Sequence, residues 1–254
     1  MAGAYWHFYT ANRVLERLRP KLEADDELRC IITHRTLFLA GTQGPDFNFY
    51  PGGDSRLSSL SHGKRPADLG RAMLRLAKTD QERSFAFGWL MHLATDTITH
   101  PLVNWLILRY FPEKTHHGTD VNAYPLGHHR VEWGIDIGLL KDERVQSYLP
   151  DPLYVLATAL EMRTLVNQAF GEIFQYPVSE EGWKGGIKGM IRYLSVFETA
   201  WRLTGRIQDK SLIRQAVKSL GFHAIVAPIA KLVARRNPEN GAGVFIPISP
   251  SQRD

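Results

Sequence analysis

The sequence predicts an all-α fold, and three observations predict it. Apolar residues recur at helical spacing along most of the chain, and strict apolar–polar alternation is scarce. Gly, Pro, Asp, Asn and Ser gather between the periodic stretches rather than inside them. No internal repeat and no strong linker interrupts the pattern, so a single multi-helix domain is expected over residues 1–236. An irregular Gly/Pro/Ser-rich tail is expected over 237–254.

The elements follow in order. A first helix covers Trp6 to Leu18 and stops before Pro20, whose ring opposes a continuing helix. A second runs from Asp26 to Leu39 and ends at Gly41. The stretch 41–70 is dense in Gly, Pro, Asp, Asn and Ser and reads as a loop. Loops of that length in compact domains are usually functional or disordered, and Phe47, Phe49 and Tyr50 favour an ordered, functional one. Helices resume over Pro66 to Ala77 and Gln81 to Thr99, and Pro101 kinks the chain or opens a helix reaching Tyr110. A polar loop fills 111–124. Helices then cover Leu126 to Tyr148 and Pro152 to Phe174, the latter with Asp151 as N-cap and Pro152 in the first helical position. Two more are expected over Glu180 to Leu203 and Lys210 to Arg235.

Composition narrows the function classes. The 254 residues are 44% hydrophobic and 22% charged, too apolar and too balanced for a disordered chain. Lys and Arg total 31 against 26 Asp and Glu, a net charge of +5 that favours anionic partners without choosing one. Cys30 is the only cysteine, which excludes an internal disulfide framework and a Cys-rich zinc site. A metal would need His, Asp and Glu. No basic segment followed by an apolar run opens the chain, and no window reaches the roughly 18 apolar residues of a membrane span. A soluble, cytoplasmic protein is expected.

Six of the 10 histidines lie between His92 and His129. His92, Asp96 and His100 form a His-x3-Asp-x3-His run, and residues four apart share a helix face. Composition alone would produce such a run about 0.02 times in a chain of this length, so the spacing carries information. His128, Glu132 and Asp136 repeat the four-residue step. Buried imidazoles and carboxylates are costly unless paired or coordinated, and both are zinc ligands. A metal-free Asp–His pair would satisfy the same spacing. His7 beside aromatics, Asp46 in a Gly-Pro-Asp turn and His62 in a loop each have an equally plain structural reading.

As an ordered set, the His7 helix start, Gly44-Pro45-Asp46, His62-Gly63, the run from His92 to Pro101 and His128-x3-Glu132 resemble the zinc-dependent phospholipase C family. Its all-helical fold is shared with S1/P1-type nucleases. The resemblance covers about Ala4 to Leu140 and implies two or three zinc ions. Asp46, His62, His92 and Asp96 would hold one; His100, His128 and Glu132 a second, more exchangeable one. His7 would hold a third, with Asp96 as a bridge. In the secreted enzymes an N-terminal Trp completes that third site with its amine and carbonyl, whereas Trp6 here is internal. The resemblance also implies a phosphodiester hydrolase with Asp46 as ligand and general base.

Other residues are less constrained. His129 faces away from His128, and His116 and His117 in the 111–124 loop could serve substrate or proton transfer. His34 and His223 read as structural. Asp136 could orient a ligand imidazole or belong to a helix face. The aromatics at 47, 49 and 50 could line a headgroup or base pocket, or pack on the helices. Lys210, Arg214, Lys218, Lys231, Arg235 and Arg236, beside Phe222, Ile225, Val226, Ile229 and Leu232, could form a helix that lies on lipid, or a core helix with a solvated face. A phospholipid or other phosphodiester is the expected substrate, with peripheral membrane contact and no stable nucleic-acid partner. A nuclease, a small-molecule phosphodiesterase and a silent metal-binding protein are the alternatives.

Overall fold

The computed structural model describes residues 3–206. The expected helix over Lys210 to Arg235, His223 and the 237–254 tail lie outside the described residues. Those described are all-α, with no strand among them. The helices are α1 (Ala4–Ala24), α2 (Arg29–Thr33), α3 (Arg35–Gly41), α4 (Ser55–Gly63), α5 (Pro66–Leu76), α6 (Asp80–Tyr110), α7 (Pro125–Lys141), α8 (Glu143–Gln146), α9 (Pro152–Thr158), α10 (Arg163–Phe174) and α11 (Glu180–Arg206). Short 3-10 turns cover Gly44–Phe49, Pro112–Lys114, Val121–Ala123 and Ala159–Met162. None of the described helices is long and apolar enough to cross a membrane.

Several expected boundaries move, for identifiable reasons. Both α1 and α6 run through a proline, Pro20 and Pro101. Each proline leaves the carbonyl four residues earlier without its helical donor. Glu16 and Thr97 carry those carbonyls and both are exposed, so solvent can satisfy them. The expected helix over 26–39 is instead two, broken at His34 after the β-branched run Ile31-Ile32-Thr33. Much of the expected 41–70 loop is helical. Asp54 caps α4 by accepting from the Arg56 amide at 3.0 Å, and Leu57, Ser58 and Ser61 form its buried face. The 126–148 helix stops at Lys141, because Asp142 turns extended. Asp151 caps α9 as expected, accepting from the Leu153 amide at 2.9 Å. The helix that follows is broken by a 3-10 turn where the buried Trp183 Nε1 donates to the Ala159 carbonyl at 3.0 Å.

The described residues divide into two compact units, 3–102 with Glu143–Ile191, and Val103–Asp142 with 192–206. In the first unit, Tyr5, Phe8 and Ala11 of α1 and Phe85 and Trp89 of α6 are buried in the core. Two close approaches fix its frame. A Cβ on Gly88 would sit 2.0 Å from the Phe38 carbonyl oxygen, and one on Gly41 would sit 2.2 Å from that of Phe85, so α3 and α6 meet backbone to backbone. Gly185 and Gly186 near the start of α11 do the same against the segment after Asp46. A Cβ on Gly185 would meet the Gly52 carbonyl oxygen at 1.9 Å, and one on Gly186 that of Phe47 at 2.6 Å. In the second unit, Val103, Leu106, Ile107, Phe111 and Val131 form a cluster, with Val121, Tyr124 and Ile135 packed on it.

Candidate metal centre

The centre in the first unit is assembled from four elements. α1 supplies His7, the 3-10 turn supplies Asp46, α4 supplies His62, and α6 supplies His92, Asp96 and His100. Asp46 and His92 are fully buried and His7 nearly so, at 1% exposure. His62 and His100 are partly open, their side chains 24% and 36% exposed.

The ring nitrogens show how two of the imidazoles are fixed. His62 Nδ1 lies 2.7 Å from the Ser58 carbonyl oxygen and His92 Nδ1 lies 2.8 Å from that of Thr42. A carbonyl only accepts, so both Nδ1 atoms carry the proton. The two Nε2 atoms then face each other at 3.2 Å. Two imidazole lone pairs so close repel each other unless a proton or a metal ion stands between them.

The remaining distances match a metal ion. His62 Nε2 is 3.2 Å from Asp46 Oδ1 and 3.7 Å from Asp96 Oδ2, and His92 Nε2 is 3.2 Å from Asp96 Oδ2. Zinc bonds of about 2.0–2.2 Å at tetrahedral angles separate neighbouring ligand atoms by about 3.3–3.6 Å. The donor set is nitrogen and oxygen throughout, as zinc accepts. Asp46, His62 and His92 thus form one candidate group and His7, His92 and Asp96 another.

Asp96 faces both ways. Its Oδ2 lies toward His92 and His62. Its Oδ1 lies 3.3 Å from His7 Nε2 and 3.6 Å from His100 Nε2. The His7 ring stacks on that of His92, with centroids 4.2 Å apart and an 11° interplanar angle, and neither of its buried ring nitrogens has a hydrogen-bond partner. An orphaned, buried imidazole nitrogen in a carboxylate-lined centre fits a ligand position. Trp6 lies in the first turn of α1. Its main-chain nitrogen donates to the Gly3 carbonyl at 3.1 Å, and its Nε1 donates to Thr99 Oγ1 at 3.0 Å.

Without metal, the charges settle accordingly. Burial opposes ionisation of Asp96, but the charge on His92 and bonding to His7 and His92 outweigh it and hold the carboxyl well below the usual range. Asp46 is likewise held low against burial, with His62 and His92 contributing. Burial works against a charged His92, yet Asp96 and Asp46 push it up to about 9. Burial and the neighbouring His92 charge lower His7. A proton on His92 therefore occupies the metal-free centre.

In the second unit, His128 Nε2 lies 2.7 Å from Glu132 Oε1, one turn along α7. Glu132 is buried and the His128 side chain is 27% exposed. His129 stacks on Trp133, with centroids 6.1 Å apart. Asp136 is buried, and burial together with its charge pushes the Tyr193 phenol up. His116 and His117 are exposed, with left-handed φ angles of 47° and 61°.

The structure separates the three aromatics that follow Asp46. Phe47 is fully buried edge-on against Trp183, and Tyr50 is 5% exposed, so both belong to the buried core. Phe49 alone remains partly open, its ring 5.4 Å from that of His62. Sequence reasoning missed Thr42 and Ser58, whose carbonyls orient the His92 and His62 imidazoles. Each lies far in sequence from, or one turn before, the ring it serves, and carbonyls leave no signal in residue type.

The sequence model of zinc-dependent phospholipase C matches residues 6–178. No curated protein and no solved structure matches the chain.

Proposed function

The chain belongs to the zinc-dependent phospholipase C family, and from that premise we propose that it hydrolyses phosphodiester bonds, with a phospholipid as first-choice substrate. The observation that carries the proposal is the set Asp46 Oδ1, His62 Nε2, His92 Nε2 and Asp96 Oδ2, in which four recorded separations are 3.2, 3.2, 3.2 and 3.7 Å. These four residues would hold one zinc. His100, His128 and Glu132 are assigned to a second by the resemblance, and His7 with Asp96 to a third. When bound, zinc neutralises phosphoryl oxygens, lowers the pKa of water and aligns attacking and leaving oxygens.

The protein's own groups do the rest. Ser58 and Thr42 fix the ring orientations of His62 and His92, and both rings present Nε2. Burial of Asp46 and His92 strengthens every interaction at the centre. Asp46 is the proposed acceptor of the water proton, in addition to its ligand role. The partly open His62, His100 and Phe49 mark the side from which substrate enters, and Phe49 is the aromatic proposed to contact a headgroup. Ile98 is 79% exposed and Leu102 43% exposed. Ile98 stands about 200° around α6 from Asp96, so a membrane lying on that face would be turned away from the ligands. Any membrane contact that delivers substrate therefore uses another surface. A cytoplasmic location forms part of the same proposal.

Zinc content followed by a substrate panel tests the reading. Phosphatidylcholine, single-stranded DNA and bis-p-nitrophenyl phosphate are offered to the zinc-loaded protein. Turnover of phosphatidylcholine is expected. Turnover of DNA alone would favour the nuclease alternative, and a fully zinc-loaded protein inert on all three would sink the enzyme assignment.

A further inference from the structure

We propose that Ser58 is a positioning residue of the metal centre, holding His62 and the Asp46 segment together through its two oxygens; this rests on the zinc reading above. Ser58 is 1% exposed and sits one turn before His62 on α4. Its carbonyl oxygen accepts from His62 Nδ1 at 2.7 Å. Its hydroxyl oxygen accepts from the main-chain N–H of Asn48, two residues after Asp46, at 3.1 Å.

The neighbouring serines behave differently. Ser59 Oγ donates to the Ser55 carbonyl and Ser61 Oγ to the Leu57 carbonyl, both within α4, as serines in helices commonly do. Ser58 Oγ instead leaves its helix for the turn that carries a ligand. Asn48 extends the tie: its Oδ1 accepts from the Asp54 amide at 3.2 Å, and Asp54 caps α4. The Asp54 carboxylate also accepts from Tyr176 Oη at 2.8 Å. The ligand turn and the ligand helix are thereby closed on each other, and the 3.2 Å separation of Asp46 Oδ1 and His62 Nε2 lies across the closure.

Removing the hydroxyl leaves the Asn48 N–H in a buried place without its acceptor, a group that proteins rarely leave unmet. The turn then shifts to satisfy it, and Asp46 shifts with it. Metal sites respond strongly to such loss of support, typically by about 10–100-fold in affinity.

The test uses the full chain and zinc itself, in competition with a chromophoric chelator, and the visible spectrum of the Co2+-substituted protein as a second readout. Ser58→Ala is expected to weaken zinc binding by about 10–100-fold and to alter the Co2+ bands. Ser58→Thr, which keeps an oxygen at that position, is expected to stay within a few-fold of the parent. Ser61→Ala removes an equally buried hydroxyl that only bonds within α4, and is expected to leave both readouts unchanged. Should Ser58→Ala fail to fold, the Thr variant decides: parent-like affinity and bands support the role, and their loss in a folded protein overturns it. An unchanged Ser58→Ala, or equal damage from Ser61→Ala, also overturns it. A parent chain that takes up no zinc overturns the underlying zinc reading instead, so the two failures are distinguishable.

Discussion

In the first compact unit, Asp46, His62, His92 and Asp96 come from three separate elements, and main-chain carbonyls hold both ring orientations. In the second, His128 and Glu132 come from a single turn of α7. The first arrangement needs the tertiary fold and is largely buried; the second needs only a helix. Preorganised, desolvated ligands bind a metal tightly because little ordering is left to do at binding. On the proposed reading, the ion assigned to His100, His128 and Glu132 has two partly open imidazoles among its ligands and would be held less firmly. We therefore propose a tight ion on Asp46, His62, His92 and Asp96 and a looser one on His100, His128 and Glu132.

The sharpest way to break this contrast is His92→Ala. His92 faces Asp96 and His62 and stacks on His7, so its loss touches both candidate groups in the first unit. We expect loss of the tight zinc and a fall in kcat/KM on the order of 10³-fold or more. Retained zinc, measured by elemental analysis after dialysis, would refute the central place given to this residue.

Asp46→Asn separates ligation from proton transfer. The amide keeps a coordinating oxygen but cannot take up a proton at neutral pH. We expect kcat to fall by about 10²–10⁴-fold, with zinc content reduced much less. Full activity in this variant would remove Asp46 from the base role, while a parallel loss of zinc and activity would make it a ligand only.

How far these roles were legible in the sequence depends on their range. The His92–Asp96–His100 run was readable because helical periodicity places residues four apart on one face, whatever the rest of the chain does. Asp46 and His62 have no such local logic; 16 positions apart, they meet only because the intervening stretch folds back through α4, and only the family resemblance joined them. That stretch reads as a loop because its Gly, Pro and Ser content hides a short helix behind the Asp54 cap. The burial of Phe47 was out of reach for a similar reason: its partner Trp183 lies far along the chain. Ser58 is the extreme case, since the partner of its hydroxyl is a main-chain N–H that every non-proline residue possesses.

Removing the second unit's contribution should have a smaller effect than His92→Ala. His128→Ala is expected to leave one tightly held zinc per chain and to weaken the looser ion by more than about 100-fold, beyond the range of a merely supporting group. Stepwise zinc release to a chelator would show it: two phases in the parent, with the first phase absent in the variant. A single phase in the parent would erase the distinction between the two regions.

The smallest expected effect is a count of protons, and it probes the first unit alone. In the metal-free protein His92 titrates near 9, above the ordinary value of 6.5, because Asp96 and Asp46 outweigh its burial. Its imidazole is thus protonated at pH 7.5 and must lose a proton to bind metal. Zinc binding should release about one proton from this residue at pH 7.5, and progressively less as the pH rises through 9. The same shift sets the stability of the metal-free protein. A folded pKa raised above the unfolded one stabilises fully below about 6.5, and that contribution is lost as pH climbs through about 9. The depressed carboxyls of Asp46 and Asp96 act in the opposite direction, contributing above the ordinary carboxylate range and losing that contribution only in acid. The Tm of chelator-treated protein should therefore decline between pH 6.5 and 9.5, while that of the zinc-loaded protein, whose imidazole is already deprotonated, should not show this decline. Calorimetric titration in buffers of different ionisation enthalpy gives the proton count, and no release at pH 7.5 would mean that His92 is neutral before the metal arrives.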